Sequence, residues 1–199
     1  NILKVIGEYR QKGYNVGYTF AELTQPEQCE QAVHSVIKEY GRINGLVNNA
    51  GVNDGIGLEH GSYEGFMNSI KQNLAHYYKM AQLALPELKK NKGAIVNIGS
   101  KTALTGQGGT SGYAAANGGR NSLTREWAVE LLPYAIRVNC VVVAECFTPL
   151  YEKWIDTFEK PKEKLSSITN KIPLEKRMTT ASEIANTVAF LLSEKSSHT

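Results

Sequence analysis

Two hydroxyl-bearing side chains, Ser100 and Tyr113, flank a glycine-rich segment of the chain and stand thirteen positions apart. A serine hydroxyl can polarise a substrate oxygen by donating a hydrogen bond, and a tyrosine phenol can exchange a proton with that oxygen. The pair is therefore a candidate acid/base centre that acts on an oxygen atom of a bound substrate.

The elements on either side of the pair would bring it to a ligand site. Residues 94–98 are apolar except for Asn97 and end two positions before Ser100, which predicts a strand covered on both faces. Residues 111–132 are rich in alanine and predict a helix that begins near Tyr113. Open α/β sheets bind ligands at the carboxyl ends of their strands, where this strand-to-helix connection would lie.

The remaining pattern alternates helices and strands, which predicts βαβ units, a parallel sheet and a single domain over residues 1–199. Thr24 is the expected N-cap of the second helix, Gly41 is its expected end, and Pro86 is a candidate bend in the third. Besides the elements at 94–98 and 111–132, we predict strands at 15–20, 43–48 and 136–143, and helices at 2–11, 26–40, 63–90 and 181–193, with one or two short helices in 149–170.

Composition narrows the classes of function. The chain has 199 residues, a net charge of +3 and ordinary apolar and charged fractions. No basic run favours nucleic acid, no apolar run suits a membrane span, and the first residues do not resemble a secretory signal. Three cysteines without metal-like spacing favour free thiols in a reducing, cytoplasmic setting and no metal site.

Four features in order resemble the short-chain dehydrogenase/reductase family: an Asn-Asn-Ala-Gly turn at 48–51, then Asn73, Ser100 and Tyr113. The resemblance implies a Rossmann-like, doubly wound parallel sheet and hydride transfer between NAD or NADP and a carbinol or carbonyl carbon. It also implies that Tyr113 is the acid/base, that Ser100 binds the substrate oxygen, that Asn73 holds a water in a proton relay, and that helices pair in a homodimer or homotetramer. The sequence begins within a predicted helix with no glycine-rich pyrophosphate turn before it and stops where the family usually continues into one more strand, so we expect a fragment that lacks the first βα unit and the last strand.

Asn117 departs from the family pattern, which has a lysine four residues after the tyrosine. In the family that lysine binds the nicotinamide ribose and lowers the pKa of the tyrosine. Asn117 can still hydrogen-bond a ribose hydroxyl but carries no charge, so Lys101, Arg120 or the oxidised cofactor would have to supply the field, although Arg120 lies two helical turns beyond Tyr113. The alternative is a catalytically silent nucleotide-binding or scaffold protein that keeps the fold.

Two further sets of residues follow from the resemblance and from the polar character of the loops. By resemblance, the cofactor would contact Glu22, Asn49, Ala50, Gly51, Asn117 and Thr148. Polar and aromatic residues in the loops favour a sugar or polyol over a steroid, since apolar ligands need mainly apolar walls; the candidates are Asn53, Asp54, Lys101, Gln107, Glu145 and Trp154. Residues 48–59 and the Tyr-x-x-x-Asn variant are similar to the L-fucose dehydrogenase-like branch, which implies oxidation of an anomeric hydroxyl to a lactone.

Overall fold

The computed structural model describes residues 2–199 and shows helices alternating with parallel strands. The helices are α1 (Ile2–Gln11), α2 (Pro26–Tyr40), α3 (Tyr63–Ile70), α4 (His76–Asn91), α5 (Ser111–Glu130), α6 (Pro149–Ile155), α7 (Pro161–Thr169) and α8 (Ala181–Leu192). The strands are β1 (Gly45–Asn48), β2 (Ala94–Ser100), β3 (Arg137–Val143), β4 (Cys146–Phe147) and β5 (Thr179–Thr180). The predicted α/β architecture is confirmed.

The central sheet is parallel and has the order β1-β2-β3, so β2 lies in the middle. Gly45 pairs with Ala94 at one end of the β1–β2 ladder, and Ser100 pairs with Val143 at the far end of the β2–β3 ladder. All three carboxyl ends therefore meet at one edge, which is where Ser100 is placed.

The apolar core lies between one face of this sheet and helices α4 and α5. Ile95 in β2 is fully buried, and Leu46 in β1 packs against the same cluster. Side chains alternate along a strand, so the neighbours of Leu46 point to the opposite face. The buried core consists of Ala81, Ala84, Leu88, Ile95, Trp127, Leu131, Ile136 and Val138.

Helix α8 covers the opposite face, where a Cβ added to Gly45 would touch Leu192. Arg137, at the start of β3, fastens the end of this helix. Its Nη1 donates to the carbonyl of Leu191 at 2.6 Å, and its Nη2 donates to that of Ser193 at 3.3 Å. A cation suits the last turn because the terminal carbonyls of a helix carry partial negative charge.

Three sequence-based predictions are wrong. Residues 15–20 form no strand, because none of the described residues pairs with them in a ladder; Phe20 is largely exposed. The N-cap of α2 is Gln25 and not Thr24, whose hydroxyl donates instead to Glu22 at 2.9 Å. Strand β1 begins at Gly45 and not at 43.

The long helix predicted over 63–90 is interrupted, but not at Pro86. A π-helical turn, Lys71–Ala75, separates α3 from α4, while Pro86 lies within α4. π-helical turns occur mostly as single turns inserted between α-helical segments and are frequent at functional sites. The insertion centres on Asn73, a predicted site residue.

A second, two-stranded parallel sheet joins β4 to β5 and was not predicted from the sequence. Thr180 begins α8 with a capping box: its hydroxyl accepts from the Glu183 amide, and the Glu183 carboxylate accepts from the Thr180 amide at 2.8 Å. This confirms the predicted start of the last helix. No helix among residues 2–199 has the length and apolarity needed to cross a membrane.

Candidate active site

Ser100 and Tyr113 are brought together by the turn from β2 into α5. Ser100 is the last residue of β2, and its Oγ accepts from the Thr102 amide at 3.3 Å, which begins a short 3₁₀ turn. Tyr113 lies in the first turn of α5 and is only partly buried. Both side chains line one cavity of about 630 Å³ at the carboxyl edge of the sheet.

The cavity also collects three of the residues predicted to bind a cofactor, Asn49, Gly51 and Thr148. Its far wall is an apolar stripe of α8 that includes Ile184 and Val188. A polar pair facing a mostly apolar wall is the usual composition of a small-molecule site. The structure therefore gives Ser100 and Tyr113 a ligand-sized space in common.

Asn73 lies in the π-helical turn, and its side chain is fully buried. Its Oδ1 accepts from the Val52 amide at 2.8 Å, and its Nδ2 donates to the Ser69 carbonyl at 3.0 Å. These bonds tie the turn after β1 to the helix. The relay role that the resemblance implies for Asn73 stays a prediction, and its side chain visibly holds the turn that borders the cavity.

Asn117 is also fully buried, and it does not line the cavity. Its Nδ2 donates to the Tyr113 carbonyl at 2.9 Å, one turn back along α5, and its Oδ1 accepts from Arg120 Nη1 at 3.0 Å. The side chain is thus engaged at both ends within the protein, which differs from the ribose-facing position expected for it.

Arg120 is the buried cation of the site and is only 3% exposed. Its Nε donates to the Asn73 carbonyl at 2.7 Å, and its Nη1 donates to the Ile98 carbonyl at 3.0 Å as well as to Asn117. The guanidinium carbon lies 4.3 Å from the centre of the Tyr77 ring, within the range of a cation–π contact. Burial lowers the pKa of Arg120, while the phenols of Tyr77 and Tyr113 act against that shift, and arginine keeps its proton in proteins.

Tyr77 completes the surroundings of this cation. Its hydroxyl donates to the Ile98 carbonyl at 3.0 Å, so this carbonyl accepts from both Tyr77 and Arg120. Burial raises the pKa of Tyr77 to about 12, because the charged phenolate would lose its hydration. Tyr77 is consequently neutral and serves as a donor and as a ring platform.

The Asn-Asn-Ala-Gly turn is anchored through its first and third residues. Asn48 Nδ2 donates to Asn97 Oδ1 at 3.0 Å, and Asn97 Nδ2 donates to Thr124 Oγ1 at 3.0 Å, which links β1, β2 and α5. His76 Nε2 lies 3.1 Å from the carbonyl of Ala50 and must carry the proton, since a carbonyl only accepts. Burial lowers the pKa of His76, so its neutral form is favoured.

The residues predicted to bind a sugar fall into two groups. Lys101 and Glu145 form an ion pair, and Glu145 also accepts from the Tyr151 hydroxyl at 3.0 Å. The ring of Trp154 stands edge-on to that of Tyr151, with 5.2 Å between centres. This first group bridges the segment after β2 to α6; because Lys101 is paired with a carboxylate, its charge is partly balanced.

The second group, Asn53, Asp54 and Gln107, consists of exposed or half-buried loop residues; Asn53 accepts from the Gly55 amide at 3.3 Å. Glu22, which was predicted to contact the cofactor, accepts from the Thr24 amide at 3.0 Å, and this bond lowers the pKa of Glu22. None of these four residues, and none of the first group, lines the cavity. Their contacts with substrate or cofactor stay predictions.

Sequence reasoning undervalued Arg120 and missed Tyr77. Arg120 was one of three candidates for the missing positive charge, with the reservation that two helical turns separate it from Tyr113, but the guanidinium reaches back along the helix to Asn117 and lines the cavity. The available signal was the spacing of Asn117 and Arg120, which places an amide and a cation on one helix face within an otherwise small-residue segment.

Comparison with known proteins places this parallel α/β fold, with Ser100 and Tyr113 at the carboxyl edge of its sheet, among the oxidoreductases. The family profile described as Enoyl-(Acyl carrier protein) reductase matches residues 8–199. The chain belongs to the short-chain dehydrogenase/reductase family.

Individual relatives include enzymes of sugars. The chain is 32% identical to the L-fucose dehydrogenase of Bos taurus over 89% of its length, but it spans only 66% of that protein. It is 32% identical to the sorbitol-6-phosphate 2-dehydrogenase of Klebsiella pneumoniae, of which it covers 78%. The crystal structure of Cj0485 dehydrogenase superimposes with a TM-score of 0.88 and 47% identity, over 92% of this chain and 70% of that one.

Proposed function

We propose that this protein is an NAD(P)-dependent dehydrogenase that oxidises a hydroxyl group of a sugar or polyol. The observation that carries the proposal is the shared cavity of Ser100 and Tyr113, because a hydrogen-bond donor and a proton acceptor then converge on one ligand oxygen. The substrate chemistry we favour is the oxidation of an L-fucose-like anomeric hydroxyl to a lactone.

Within this proposal each residue has a defined task. Ser100 donates a hydrogen bond to the oxygen that is being oxidised, and Tyr113 takes the proton from that oxygen. The hydrogen on the same carbon leaves as a hydride, for which the bound nicotinamide supplies the acceptor. Asn73 holds the turn at Val52 through its side chain, so the cavity wall keeps its shape.

The described residues fit a dinucleotide on two counts. Gly51 forms part of the cavity wall, where a Cβ would meet Arg120 Nη2 at 2.7 Å, so the backbone comes unusually close to a buried cation. Thr148 and Asn49 line the same cavity and offer polar atoms to a carboxamide or ribose. Which of NAD and NADP binds is left to the experiment, because the residue that usually discriminates them follows a strand not among those described.

A sugar is favoured over an acyl substrate by the polar residues of the segments that follow β2 and β3. Lys101, next to Ser100 in the chain, pairs with Glu145, the Tyr151 hydroxyl donates to Glu145, and Trp154 adds an aromatic face, although none of these four residues lines the cavity. The named activities of the L-fucose and sorbitol-6-phosphate enzymes support this choice. The family description points instead to an acyl thioester, which makes that class the natural competitor.

The test is an absorbance assay of full-length protein at 340 nm with NAD or NADP and a panel of aldoses, polyols and sugar phosphates. Reactions with NADH or NADPH and an enoyl thioester, as in the family description, or a 3-oxoacyl thioester, the substrate named for a relative from Thermotoga maritima, test the competing substrate class. We expect reduced nicotinamide to form with at least one sugar or polyol, and Tyr113→Phe to abolish it.

The matched control is Tyr63→Phe, because Tyr63 is an exposed tyrosine on α3 that does not line the cavity. Turnover of acyl thioesters alone would refute the sugar assignment. No turnover of any substrate by a folded wild type would favour the catalytically silent alternative, and full activity of Tyr113→Phe would refute the site itself.

A further inference from the structure

The position four residues after Tyr113 is neutral, yet the site still contains a positive charge. Asn117 is fully buried and makes hydrogen bonds only within the protein, whereas Arg120 lines the cavity together with Ser100 and Tyr113. The positive charge of the site is therefore supplied by Arg120, about one helical turn after position 117 on α5.

Arg120 is held there by a built set of acceptors. The carbonyls of Asn73 and Ile98 and the Oδ1 of Asn117 accept from its Nε and Nη1 at 2.7–3.0 Å, and the ring of Tyr77 covers one side of the guanidinium. All of these partners are neutral, so no carboxylate among them cancels the charge. Burying a cation without a counter-ion is among the least favourable events in folding. A functional role for Arg120 would explain why the protein tolerates this cost.

One donor of the guanidinium remains without a partner. The Arg120 side chain is more than nine-tenths buried, and its Nη2 has no acceptor among residues 2–199. Nη2 lies against Gly51, which like Arg120 lines the cavity, and even a methyl group at position 51 would collide with it. An unsatisfied charged donor beside a ligand cavity points to an acceptor oxygen on the ligand.

We infer that Arg120 is the working cation of this active site: it places a positive charge beside Tyr113 and directs a free donor toward a ligand hydroxyl, while Asn117 positions it. This inference rests on the proposed dehydrogenase function and specifies how its site operates. The hydroxyl can belong to the ribose of the dinucleotide or to the substrate, and binding of the dinucleotide alone separates these sources.

The experiment measures the Kd of NADH and of NADPH by calorimetry, without substrate, and the pH–rate profile of oxidation. Arg120→Gln removes the charge but keeps a hydrogen-bonding side chain, and Arg120→Lys keeps the charge. The double variant Asn117→Lys/Arg120→Leu moves the cation to the other position. Arg125→Leu is the matched control, since Arg125 lies exposed on the same helix and bonds only to Ser122 at 3.3 Å among the described residues.

For Arg120→Gln we expect dinucleotide binding to weaken by about 10- to 100-fold, as for a lost hydrogen bond to a charged group, and the basic limb of the profile to move to higher pH. Arg120→Lys should recover part of both losses, the double variant should recover most, and Arg125→Leu should match the wild type. If only the KM of the substrate rises while dinucleotide binding is unchanged, the hydroxyl belongs to the substrate.

Two results would overturn the inference while leaving the dehydrogenase function intact. The first is an active Arg120→Gln variant with unchanged Kd, KM and pH profile. The second is a loss of binding or activity that neither Arg120→Lys nor the double variant repairs, although all variants melt at the same temperature as the wild type. A folded wild type that binds neither dinucleotide would instead refute the proposed function, and this inference with it.

Discussion

Replacing Gly51 by alanine tests the closest contact of the site. The added Cβ would lie 2.7 Å from Arg120 Nη2 and 2.8 Å from Asn73 Oδ1, whereas ordinary van der Waals contacts begin near 3.4 Å. Both atoms belong to side chains, but neither side chain is free to swing away. Arg120 is held by three acceptors, and the Asn73 oxygen accepts from the Val52 amide.

The cost follows from the bonds that must stretch. Moving the guanidinium aside would sacrifice at least one hydrogen bond to a charged group, about 1.5–3 kcal/mol, and moving the Asn73 amide would sacrifice about 1 kcal/mol more. We therefore expect Gly51→Ala to lower the free energy of unfolding by about 2–4 kcal/mol. Loss of activity should accompany it, because the charge and the cavity wall are displaced together.

The assay is urea denaturation followed by circular dichroism, with Gly118→Ala as the matched control. Gly118 lies in α5, and a Cβ there would meet nothing within 4 Å, so alanine should stabilise the protein by about 0.5–1 kcal/mol. A Gly51→Ala variant within 0.5 kcal/mol of the wild type would show that the turn and Arg120 are not in contact as described.

Three further predictions concern the supports of the site. Asn97→Ala breaks both buried side-chain bonds that link β2 to β1 and α5, and it should cost about 2–4 kcal/mol in the same urea assay; a loss below 1 kcal/mol would contradict this network. The Glu183 pKa is lowered to about 2, chiefly by Arg177, so the stabilisation by Glu183 is present above the unfolded pKa near 4.3 and disappears as the pH falls toward 2. The melting temperature of Glu183→Gln should therefore lie below that of the wild type at pH 7 and converge with it in acid. A constant difference in melting temperature would count against the Glu183–Arg177 pair. The Tyr77 pKa is raised to about 12, so its contribution is present below pH 10 and is lost as the pH rises through 12; Tyr77→Phe should cost only about 1 kcal/mol at pH 7, because the Ile98 carbonyl keeps its bond from the guanidinium, and should remove part of the alkaline destabilisation seen in melts from pH 9 to 12.

The sequence predicted those parts of the fold that depend on local signals. The end of α2 at Gly41, which adopts φ 75°, and the start of the last helix at Ala181 rest on residues whose preferences act over a single turn. The strand 94–98 was identified because burial on both faces requires an apolar residue at nearly every position.

The failures were non-local. A strand at 15–20 needs a neighbouring strand to pair with, and its own residues do not reveal whether residues 2–199 contain one. The π-helical turn at 71–75 leaves no periodicity signal, and Pro86, the candidate bend, lies within α4 without interrupting it.

The candidate site shows the same division. Ser100 and Tyr113 were identified from spacing along the chain, and they do share a cavity. The position of Arg120 depends on where its long side chain ends, which is set by acceptors from β2 and the π-helical turn. Counting helical turns between Cα atoms could not reveal that reach.

The hydrogen bond between Asn117 and Arg120 also makes the two positions dependent on each other during mutation. A lysine introduced at position 117 while Arg120 remains would remove a carbonyl acceptor and place two buried cations one helical turn apart, which is destabilising. Asn117→Lys alone and Arg120→Leu alone should therefore each reduce activity more than the two substitutions together. Whether a residue is tolerated at one position depends on the residue at the other. A survey of relatives that judges activity only from the residue four positions after the tyrosine would misclassify a protein with this Asn–Arg pair. A survey that considers positions 117 and 120 together would classify it correctly.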